Sequence, residues 1–468
     1  MSCEVHPLKN TKHTLNHSTN NHWRTQFHIQ PPTGLLNDPN GLIYHEGVYH
    51  VFYQWHPDGP THGLKSWNHV TSTDLVHWTP DKRILRPDSI YDSHGAYSGS
   101  ALVVDGTLQL FYTGNTRTSD DIRVPYQLNA RLATDGIVDK TVIIDHIPSG
   151  YTDHFRDPKV FTTAYGYAMI LGAQRQDMTG TALLYTSTNL KAWHFAKELT
   201  TSLESFGYMW ECPDYFELEQ KGILLFCPQG AMNSPRSNTN IYPNAYIVGN
   251  YDTDHFDMGN HTHPHLLDYG FDFYAAQTFI DQKGQRVLMA WMGAAEGGYP
   301  SDKYGWAHVL TLPRVLTLVD NHLYQQPHPN LVALRTDAVP INSSLCSYEL
   351  ILDTIQGALD IDLYRYQDEC VNLRYDTATQ TLILDRSALK NTYATERGET
   401  RTLCLDEPLK DLHVFRDTST LEIFINQGRY TMSLRFFPQH IEGHVKIKTL
   451  NDSAIKILYP LEDVNHDL

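Results

Sequence analysis

The chain has 468 residues, of which 41% are hydrophobic and 19% are charged, and its formal net charge is −17. This composition excludes a disordered chain and a coiled coil, and no apolar run approaches the roughly 20 residues that a membrane-spanning helix needs. So acidic a chain is also poorly suited to nucleic acid, because phosphate contacts require a basic surface. We therefore expect a globular protein with neither a nucleic-acid nor a membrane partner.

The start of the chain and the cysteines bear on the cellular compartment. The first thirty residues are polar and lack the basic, apolar and small-residue regions of a secretory signal; we treat residues 1–21 as a polar N-terminal segment. The cysteines are widely spaced and include no C-x-x-C pair. These features predict reduced thiols and a cytoplasmic location. The cysteines are Cys3, Cys212, Cys227, Cys346, Cys370 and Cys404.

Five segments between residues 22 and 325 resemble one another. Each begins with a turn glycine, continues as an apolar strand, and ends in small or polar residues. A near-constant spacing of about sixty residues, enough for four short strands, is typical of a β-propeller. The pattern predicts a five-bladed propeller at 22–325, with coincidence in a β-rich sandwich as the alternative. The leading glycines, 59, 60, 56 and 62 residues apart, are Gly47, Gly106, Gly166, Gly222 and Gly284.

The pattern changes after the propeller. A proline-containing stretch at 326–342 is the expected linker. Residues 343–468 often alternate apolar and polar positions, as in Leu359–Leu363 and Leu421–Ile425. Such alternation predicts an antiparallel β-sandwich with one face of each sheet buried, and hence an all-β chain.

One histidine cluster invites a metal hypothesis. His261, His263 and His265 alternate, and alternate residues of a strand face one side. Pro264 disrupts strand pairing there, which favours a loop over a metal site.

Three acidic residues occupy similar places in their repeats. Asp38 and Asp157 each lie nine residues before a repeat glycine, and Glu211 lies eleven residues before one. Each also lies one or two residues before a proline, which suits the first residues of a strand. If these strands are innermost in their blades, the three carboxyl groups converge at one end of the axial channel. Proteins keep such clusters for catalysis or cation binding, although each acid could instead cap a turn.

The sequence neighbours of the acids suggest different roles. Glu211 has apolar neighbours that favour the protonated form, which can donate a proton to a leaving oxygen. Asp38 is flanked by Asn37 and Asn40, whose amides are expected to hold it ionised as a nucleophile. Asp157 beside Arg156 is also expected to stay charged. A division into acid and nucleophile is the pattern of glycoside hydrolysis.

Residues suited to a sugar site cluster near the strand ends. Aromatic faces pack against sugar C–H surfaces, and amides and carboxylates bind hydroxyl groups. Any single Trp is more readily explained by a place in the core than by contact with a ligand. The clustered residues are Gln54, Trp55, Trp67, Tyr97, Ser98, Asp272, Tyr274, Trp291 and Trp306. The residues we expect to bind substrate are Asn37, Gln54, Trp67, Tyr97, Ser98, Arg156, Asp272 and Trp291.

At these motifs the sequence resembles glycoside hydrolase family 32, the β-fructofuranosidases. The resemblance covers most of the chain, and several ordered motifs are more specific than any one alone. The matching motifs are Leu36–Gly41, Tyr97–Ser100, Arg156–Pro158, Glu211–Pro213, Gly305–His308 and Leu421–Phe424.

The resemblance implies a fold, a reaction and a role for each acid. It implies a five-bladed propeller followed by a sandwich, and a retaining hydrolysis of terminal β-fructofuranosides such as sucrose. By this likeness Asp38 is the nucleophile, Glu211 is the acid and base, and Asp157 stabilises the transition state together with Arg156. Neither a metal nor an organic cofactor is needed for this chemistry. Retention requires the Asp38 and Glu211 carboxyl groups to lie about 5–5.5 Å apart.

The choice of substrate is less specific. Leu36 and Tyr97 depart from residues common in the family, which leaves the exact substrate open. The predicted cytoplasmic location favours sucrose 6-phosphate as the substrate. Lys65 and Lys303 are candidate phosphate ligands, although both could be solvated surface lysines. Sucrose or a short fructan such as kestose is the next alternative, and fructosyl transfer is another. A sugar-binding propeller without activity is the alternative outside the enzymes, and a homodimer formed through the sandwich remains open.

Overall fold

The computed structural model describes residues 22–231, 240, 242–250, 257–293 and 297–465. The polar segment predicted at 1–21 and Cys3 lie outside these residues. In the described ranges, regular structure is almost entirely β-strand, and three short 3-10 helices lie at Asp302–Tyr304, Pro329–Leu334 and Thr395–Arg397. Across the same ranges, no helix has the length and apolar character needed to cross a bilayer.

The first three blades follow one another without a break in strand order. Blade 1 contains β1 Gly34–His45, β2 Val48–His56, β3 Ser66–Ser72 and β4 Thr79–Leu85. Blade 2 contains β5 Ala96–Val104, β6 Thr107–Arg117, β7 Arg123–Ala133 and β8 Gly136–Ile144. Blade 3 contains β9 Tyr151–Thr163, β10 Gly166–Arg175, β11 Gly180–Ser187 and β12 His194–Glu198.

The last two blades include additional short strands. Between blades 3 and 4, β13 Thr200–Thr201 pairs in parallel with β17 Asp257–Met258. Blade 4 contains β14 Met209–Leu218, β15 Lys221–Gln229, β16 Ala245–Asn250 and β18 His265–Leu266. Blade 5 contains β19 Tyr274–Ile280, β20 Arg286–Met292, β23 Arg314–Val319 and β24 His322–Pro327, with β22 Val309–Leu310 beside β20. A last short strand, β21 Trp306–Ala307, pairs in parallel with β1.

The five innermost strands form a closed ring, so the predicted five-bladed propeller is confirmed. Strands β1, β5, β9, β14 and β19 each contact the next, and β19 contacts β1. Apolar side chains fill the spaces between blades; Phe52, Trp67 and Tyr112, for example, pack between blades 1 and 2. Parallel pairing of β21 with β1 ties the end of blade 5 to the start of blade 1.

The repeat glycines mark the turns between first and second strands, with one exception. Gly47, Gly106, Gly166 and Gly284 have positive φ angles, where glycine carries no steric penalty. Gly222 instead lies inside β15, and the left-handed turn residues there are Glu219 and Gln220. This difference explains the irregular offset of Glu211 from its glycine.

The C-terminal β-sandwich is confirmed as well. One sheet contains β26 Tyr348–Asp353, β31 Leu412–Asp417, β32 Thr420–Ile425, β33 Tyr430–Arg435 and β36 Ile455–Pro460. The other contains β27 Leu359–Tyr366, β28 Glu369–Asp376, β29 Thr381–Asp385, β30 Thr400–Cys404 and β35 Lys446–Thr449. A small pair joins β25 Ser344–Leu345 to β34 Gly443–His444.

The stretch predicted as a linker includes a packed element. Its 3-10 helix buries Leu331 and Leu334 against Phe27, Phe415 and Phe424, in a cluster shared by the propeller and the sandwich. The apolar side chains therefore hold the two parts together. The exact boundaries at 325 and 343 stay a prediction.

A buried charge network joins the sandwich to the propeller. Both ring nitrogens of His28 bind carboxylates of the sandwich, Nδ1 to Asp417 at 2.8 Å and Nε2 to Glu422 at 3.0 Å. Arg314 of β23 donates to Glu422 at 2.6 Å and lies 3.4 Å from Asp268. A strand that buries apolar residues on one face thus places Glu422 on the other, against the propeller.

We expect the substitution His28→Gln to lower the free energy of unfolding by about 3–5 kcal/mol, since it removes the positive charge that lies between two buried carboxylates. Burial lowers the pKa of His28, but hydrogen bonds to Asp417 and Glu422 and their charges raise it above its usual value. The contribution of His28 to stability is therefore complete below the pKa of His28 in the unfolded chain. It is lost as the pH rises through the pKa of His28 in the folded protein.

Urea denaturation of the parent protein and of His28→Gln, from acidic to alkaline pH, measures the difference between their free energies of unfolding. This difference should shrink as the pH rises. His77→Gln is the matched control, because His77 binds Asp74 on the exposed surface and such pairs contribute about 0–1 kcal/mol. A difference that grows with pH would contradict a charged His28.

Candidate active site

Each innermost strand of the propeller carries a β-bulge. The pairing of the first two strands shifts by one residue after Leu36, Ala96, Arg156, Glu211 and Tyr274. Successive side chains of a regular strand point to opposite faces, whereas a bulge re-aims them. The bulges explain why two consecutive pairs, Asn37–Asp38 and Arg156–Asp157, line one pocket.

The pocket gathers the three predicted acids at one end of the propeller. It has a volume of about 250 Å³. It is lined by Asn37, Asp38, Gln54, His62, Gly63, Lys65, Tyr97, Arg156, Asp157, Glu211, Gln229, Tyr274 and Trp291. Residues from all five first strands therefore meet at a single cavity, together with residues from second strands and one loop.

Cys212 connects two of the acids at the bottom of the pocket. Its Sγ lies 3.7 Å from Oδ2 of Asp38 and 3.7 Å from Oδ2 of Asp157. Its backbone N–H also donates to Asp157 at 3.0 Å. The two aspartates thus approach the same small side chain from blades 1 and 3.

Arg156 connects the third acid. Its guanidinium donates to Oε1 of Glu211 through NH2 at 2.6 Å and Nε at 3.2 Å, but lies 4.0 Å from Asp157. Arg156 therefore hydrogen-bonds to Glu211 and forms only a longer ion pair with its sequence neighbour Asp157. Because β9 is bulged, the arginine reaches across to blade 4 instead.

The surroundings of Glu211 also differ from the prediction. Besides Arg156, Glu211 accepts hydrogen bonds from Gln229 at 2.7 Å and from Tyr274 at 2.5 Å. The apolar residues Met209 and Trp210, expected beside it, are buried in the propeller core. Its neighbours in space are polar because its neighbours in sequence point elsewhere.

Besides the contact with the Cys212 thiol, each carboxylate oxygen of Asp38 accepts a hydrogen bond from a nitrogen or oxygen donor. Asn37 donates to Oδ1 at 3.1 Å and Ser98 donates to Oδ2 at 2.5 Å. Asn40, predicted to bind this carboxylate, instead donates to the backbone carbonyl of Asp38. Burial raises the pKa of Asp38 and the charge of Glu211 adds to this effect, while Ser98 and Asn37 oppose it. Of the two asparagines predicted to bind the Asp38 carboxylate, Asn37 does so and Ser98 takes the place expected for Asn40.

Two residues predicted to bind substrate lie outside the pocket. Trp67 is fully buried between blades 1 and 2, and its Nε1 donates to the backbone carbonyl of Tyr97. Asp272 is fully buried and accepts hydrogen bonds from Tyr299 and Tyr393. Trp67 therefore supports the pocket wall through Tyr97, whereas Asp272 binds two tyrosines that do not line the pocket. A contact of either residue with substrate stays a prediction that this placement does not favour.

The remaining predicted residues are at the pocket or directly beneath it. Asn37, Gln54, Tyr97, Arg156 and Trp291 line it. Ser98 lies beneath it, where it bridges Gln54 and Asp38. Tyr274 lines the pocket too, whereas Trp55 and Trp306 do not.

Gln229 is a pocket residue that the sequence reasoning missed. A signal for it existed, because Gln54, Gln229 and Trp291 each lie seven residues after a repeat glycine. Thr113 has the same offset, and it accepts a hydrogen bond from the backbone of Asp157. In three of the five repeats, the seventh residue after the glycine therefore lies in the wall of the pocket.

The two lysines predicted as phosphate ligands lie in different surroundings. Lys65 lines the pocket but donates to Asn37, and Lys303 lies over the rings of Trp23 and Tyr304.

The histidine cluster does not form a single strand. His261 and His263 lie in irregular structure, and His265 begins β18. Of the residues that the structure describes, no three His, Cys, Asp or Glu are arranged to hold a metal ion. The five described cysteines are free.

Two family models match this chain. The N-terminal domain of glycosyl hydrolases family 32 matches residues 28–327, and the C-terminal region of that family matches residues 330–460. The sucrose-6-phosphate hydrolase of Staphylococcus xylosus is 44% identical over 92% of this chain and 90% of its own length.

Solved structures agree with the sequence matches. The sucrose-6-phosphate hydrolase of Lactobacillus gasseri has a TM-score of 0.90 and 34% identity, over 96% of this chain and 95% of that one. A mutant of the Bombyx mori GH32 β-fructofuranosidase, solved in complex with sucrose, has a TM-score of 0.81 and 30% identity, over 95% of each chain. Fold and pocket together define a glycoside hydrolase. The chain belongs to glycosyl hydrolases family 32.

The substitution Asp157→Asn is expected to make stability less dependent on pH. Burial raises the pKa of Asp157, Arg156 opposes this, and Glu211 and Asp38 add to it, with a result of about 7. The folded state therefore binds a proton that the unfolded state releases above the usual value of 3.8. Stability falls as the pH rises between these two values.

Urea denaturation across this range measures the effect. Asp157→Asn should lose the slope and gain about 1–3 kcal/mol over the parent at alkaline pH, while its activity falls. The exposed Asp135→Asn is the control and should keep the slope of the parent. A parent protein whose stability rises with pH from acidic to neutral through this group would contradict the assignment.

Proposed function

We propose that this chain is a retaining β-fructofuranosidase that hydrolyses sucrose 6-phosphate, releasing fructose from its terminal β-fructofuranoside. One observation carries the proposal: Asp38, Asp157 and Glu211, from three different blades, share one pocket through Cys212 and Arg156. The names of the relatives support the choice of a phosphorylated sugar. Free sucrose is the second substrate.

In the first step, the carboxylate of Asp38 attacks the anomeric carbon of the fructosyl unit. The bond to the glucosyl oxygen breaks, and that oxygen takes a proton from Glu211. The product is a fructosyl ester on Asp38 and a free glucose 6-phosphate. Asn37 and Ser98, each bound to one oxygen of Asp38, orient the attacking carboxylate.

In the second step, water cleaves the ester. Glu211, now ionised, removes a proton from water, and the hydroxide oxygen attacks the anomeric carbon, which returns Asp38 to its carboxylate form. Asp157 lies beside Cys212, opposite Asp38, where it is suited to bind fructose hydroxyl groups and the developing positive charge. Because the pKa of Asp157 is about 7, this group is about half ionised at neutral pH, and not fully charged as its neighbour Arg156 led us to expect. The ionised form is the one suited to the developing positive charge.

Replacing the nucleophile separates hydrolysis from sugar binding. Asp38→Asn should lower kcat on sucrose 6-phosphate by about 10⁴-fold or more, while sugar affinity measured by calorimetry is largely kept. The first fructose anomer released by the parent protein, followed by NMR, should have the β configuration of the substrate. An inverted product, or an Asp38→Asn protein with parental kcat, would contradict the mechanism. Transfer products in the same assay would favour a fructosyltransferase.

We propose that the phosphate of the substrate is bound on the side of the pocket next to Glu211. His154 binds Arg156 at 3.0 Å, next to Glu211, and Arg123 is close enough to lower the pKa of His154. Burial and these two arginines lower the pKa of His154 to about 4. At neutral pH His154 is therefore uncharged, and Arg123 rather than His154 can offer a positive charge to a phosphate. The Nε of Arg123 has no hydrogen-bond partner among the described residues. Arg123 is therefore our candidate for the phosphate ligand on the leaving-group side.

Arg123→Gln should lower kcat/KM for sucrose 6-phosphate by about 10-fold or more, since charge-assisted bonds to phosphate are strong, and change the value for sucrose little. Arg131→Gln is the matched control, because Arg131 lies on the same strand and pairs with Asp139 at 2.7 Å. Equal losses on the two sugars would reject Arg123 as the phosphate ligand.

A cytoplasmic location and a homodimer are also part of the proposal. A phosphorylated sugar is charged and does not diffuse across a bilayer, so its hydrolase is expected on the side where the sugar is phosphorylated. The free thiols of the described cysteines fit a reducing compartment. Light scattering on the purified protein tests the dimer.

A further inference from the structure

Lys65 is a buried lysine whose ammonium group binds a residue of the catalytic pocket. The residue is 4% exposed, and its Nζ donates to Oδ1 of Asn37 at 2.7 Å. Among the described residues, no carboxylate lies within 4.0 Å of this ammonium group. A buried lysine without an acidic partner is costly, because its charge has lost water. Such a group requires an explanation beyond a solvated surface lysine.

The ammonium group fixes the orientation of the neighbouring amide. A lysine ammonium has three donors and no acceptor, so the atom that faces Lys65 must be the amide oxygen of Asn37. The amide nitrogen must then point the other way. It donates to Oδ1 of Asp38 at 3.1 Å and to Oε1 of Gln54 at 2.6 Å.

The same constraint passes along a second branch. Because Gln54 accepts through its oxygen, its amide nitrogen is free to donate, and it donates to Oγ of Ser98 at 2.8 Å. Ser98 accepts that bond and therefore turns its own hydrogen to Oδ2 of Asp38, at 2.5 Å. Both branches that begin at Lys65 thus end on Asp38, one on each carboxylate oxygen.

We propose that Lys65 is a positioning residue that sets the direction of this hydrogen-bond network and so presents Asp38 as an ionised, correctly oriented nucleophile. The inference rests on the proposed function, since Asp38 is the nucleophile there. Lys65 does not touch the reacting atoms in this role. It acts through Asn37, and it serves every β-fructofuranoside, phosphorylated or not.

The charges around both groups agree with this role. Asp38 faces Glu211 and Asp157 from two other blades, as well as the Cys212 thiol, and Lys65 is the cation that favours its ionised form. Lys65 in turn faces Asp38, with His62 beside it in the pocket lining and His308 near enough to be affected by its charge. Burial lowers the pKa of Lys65 to about 7, and Asp38 opposes this shift. Lys65 therefore stays at least partly protonated at neutral pH.

Steady-state kinetics of Lys65→Met on sucrose and sucrose 6-phosphate test the role. We expect kcat to fall by the same factor on both sugars, about 10–100-fold as for other oriented catalytic groups, with little change in KM. The acid limb of kcat/KM should move to higher pH, because Asp38 loses a favourable charge. Lys390→Met, which removes an exposed lysine of the sandwich that pairs with Asp368, should leave both rates unchanged.

A double-mutant cycle with Asn37→Ala tests whether Lys65 acts through Asn37. If it does, Lys65→Met should add little to the loss already caused by Asn37→Ala. Thermal unfolding checks that each variant is folded, and Lys65→Gln replaces Lys65→Met if the latter is not. A loss confined to sucrose 6-phosphate, additive losses in the cycle, or an unmoved acid limb would each overturn the proposal.

The outcome is separable from that of the proposed function. If the parent protein hydrolyses neither sugar, the proposed substrates fail. The proposal for Lys65 is then tested by the rate at which a carbodiimide modifies Asp38 as a function of pH, with the modified residue located by peptide mass spectrometry. A midpoint at higher pH in Lys65→Met supports the proposal, and an unchanged midpoint overturns it.

Discussion

The site depends on the enclosure of three carboxyl groups with a single directly bound guanidinium. Arg156 binds Glu211 at 2.6 Å and lies 4.0 Å from Asp157. The hydrogen bonds that Asp38 and Asp157 accept from the described residues come from neutral donors, including the thiol of Cys212. Burial of acids without matching cations raises their pKa and costs stability. The ring of blades bears this cost, because no single blade could bring the three acids together. We propose that this arrangement gives one pocket both a nucleophile, Asp38, and a proton donor, Glu211.

Sequence periodicity was sufficient to predict the ring and the level at which the acids lie. The offsets of Asp38 and Asp157 from their glycines predicted two first strands correctly, and Glu211 followed despite the irregular turn at Gly222. The bulges were not predictable, because they depend on pairing between strands rather than on local pattern. They explain why Arg156 reaches Glu211 instead of Asp157, and why Asn40 binds backbone instead of carboxylate. The placement of Trp67 and Asp272 outside the pocket has a related cause, since the position of a residue near a strand end does not reveal its burial.

The sandwich was predicted from alternation alone, but its contacts with the propeller were not. In β32, the face opposite the sandwich core carries Glu422, which binds His28 and Arg314 from distant parts of the chain. Local sequence gives no signal for contacts across such separations. The pairing of β21 with β1 belongs to the same class of long-range contact. Together these contacts fix the first strand, which carries Asp38, from both sides.

The central claim is that Asp38 becomes covalently linked to fructose, and trapping that ester tests it most directly. A Glu211→Ala protein mixed with a fructosyl fluoride, whose leaving group needs no proton, should accumulate the ester because the base for its hydrolysis is missing. After an acid quench, mass spectrometry should find one fructosyl unit on the peptide that contains Asp38, and none when Asp38→Asn is added. A fructosyl unit on the peptide of Asp157, or turnover without any adduct, would contradict the account.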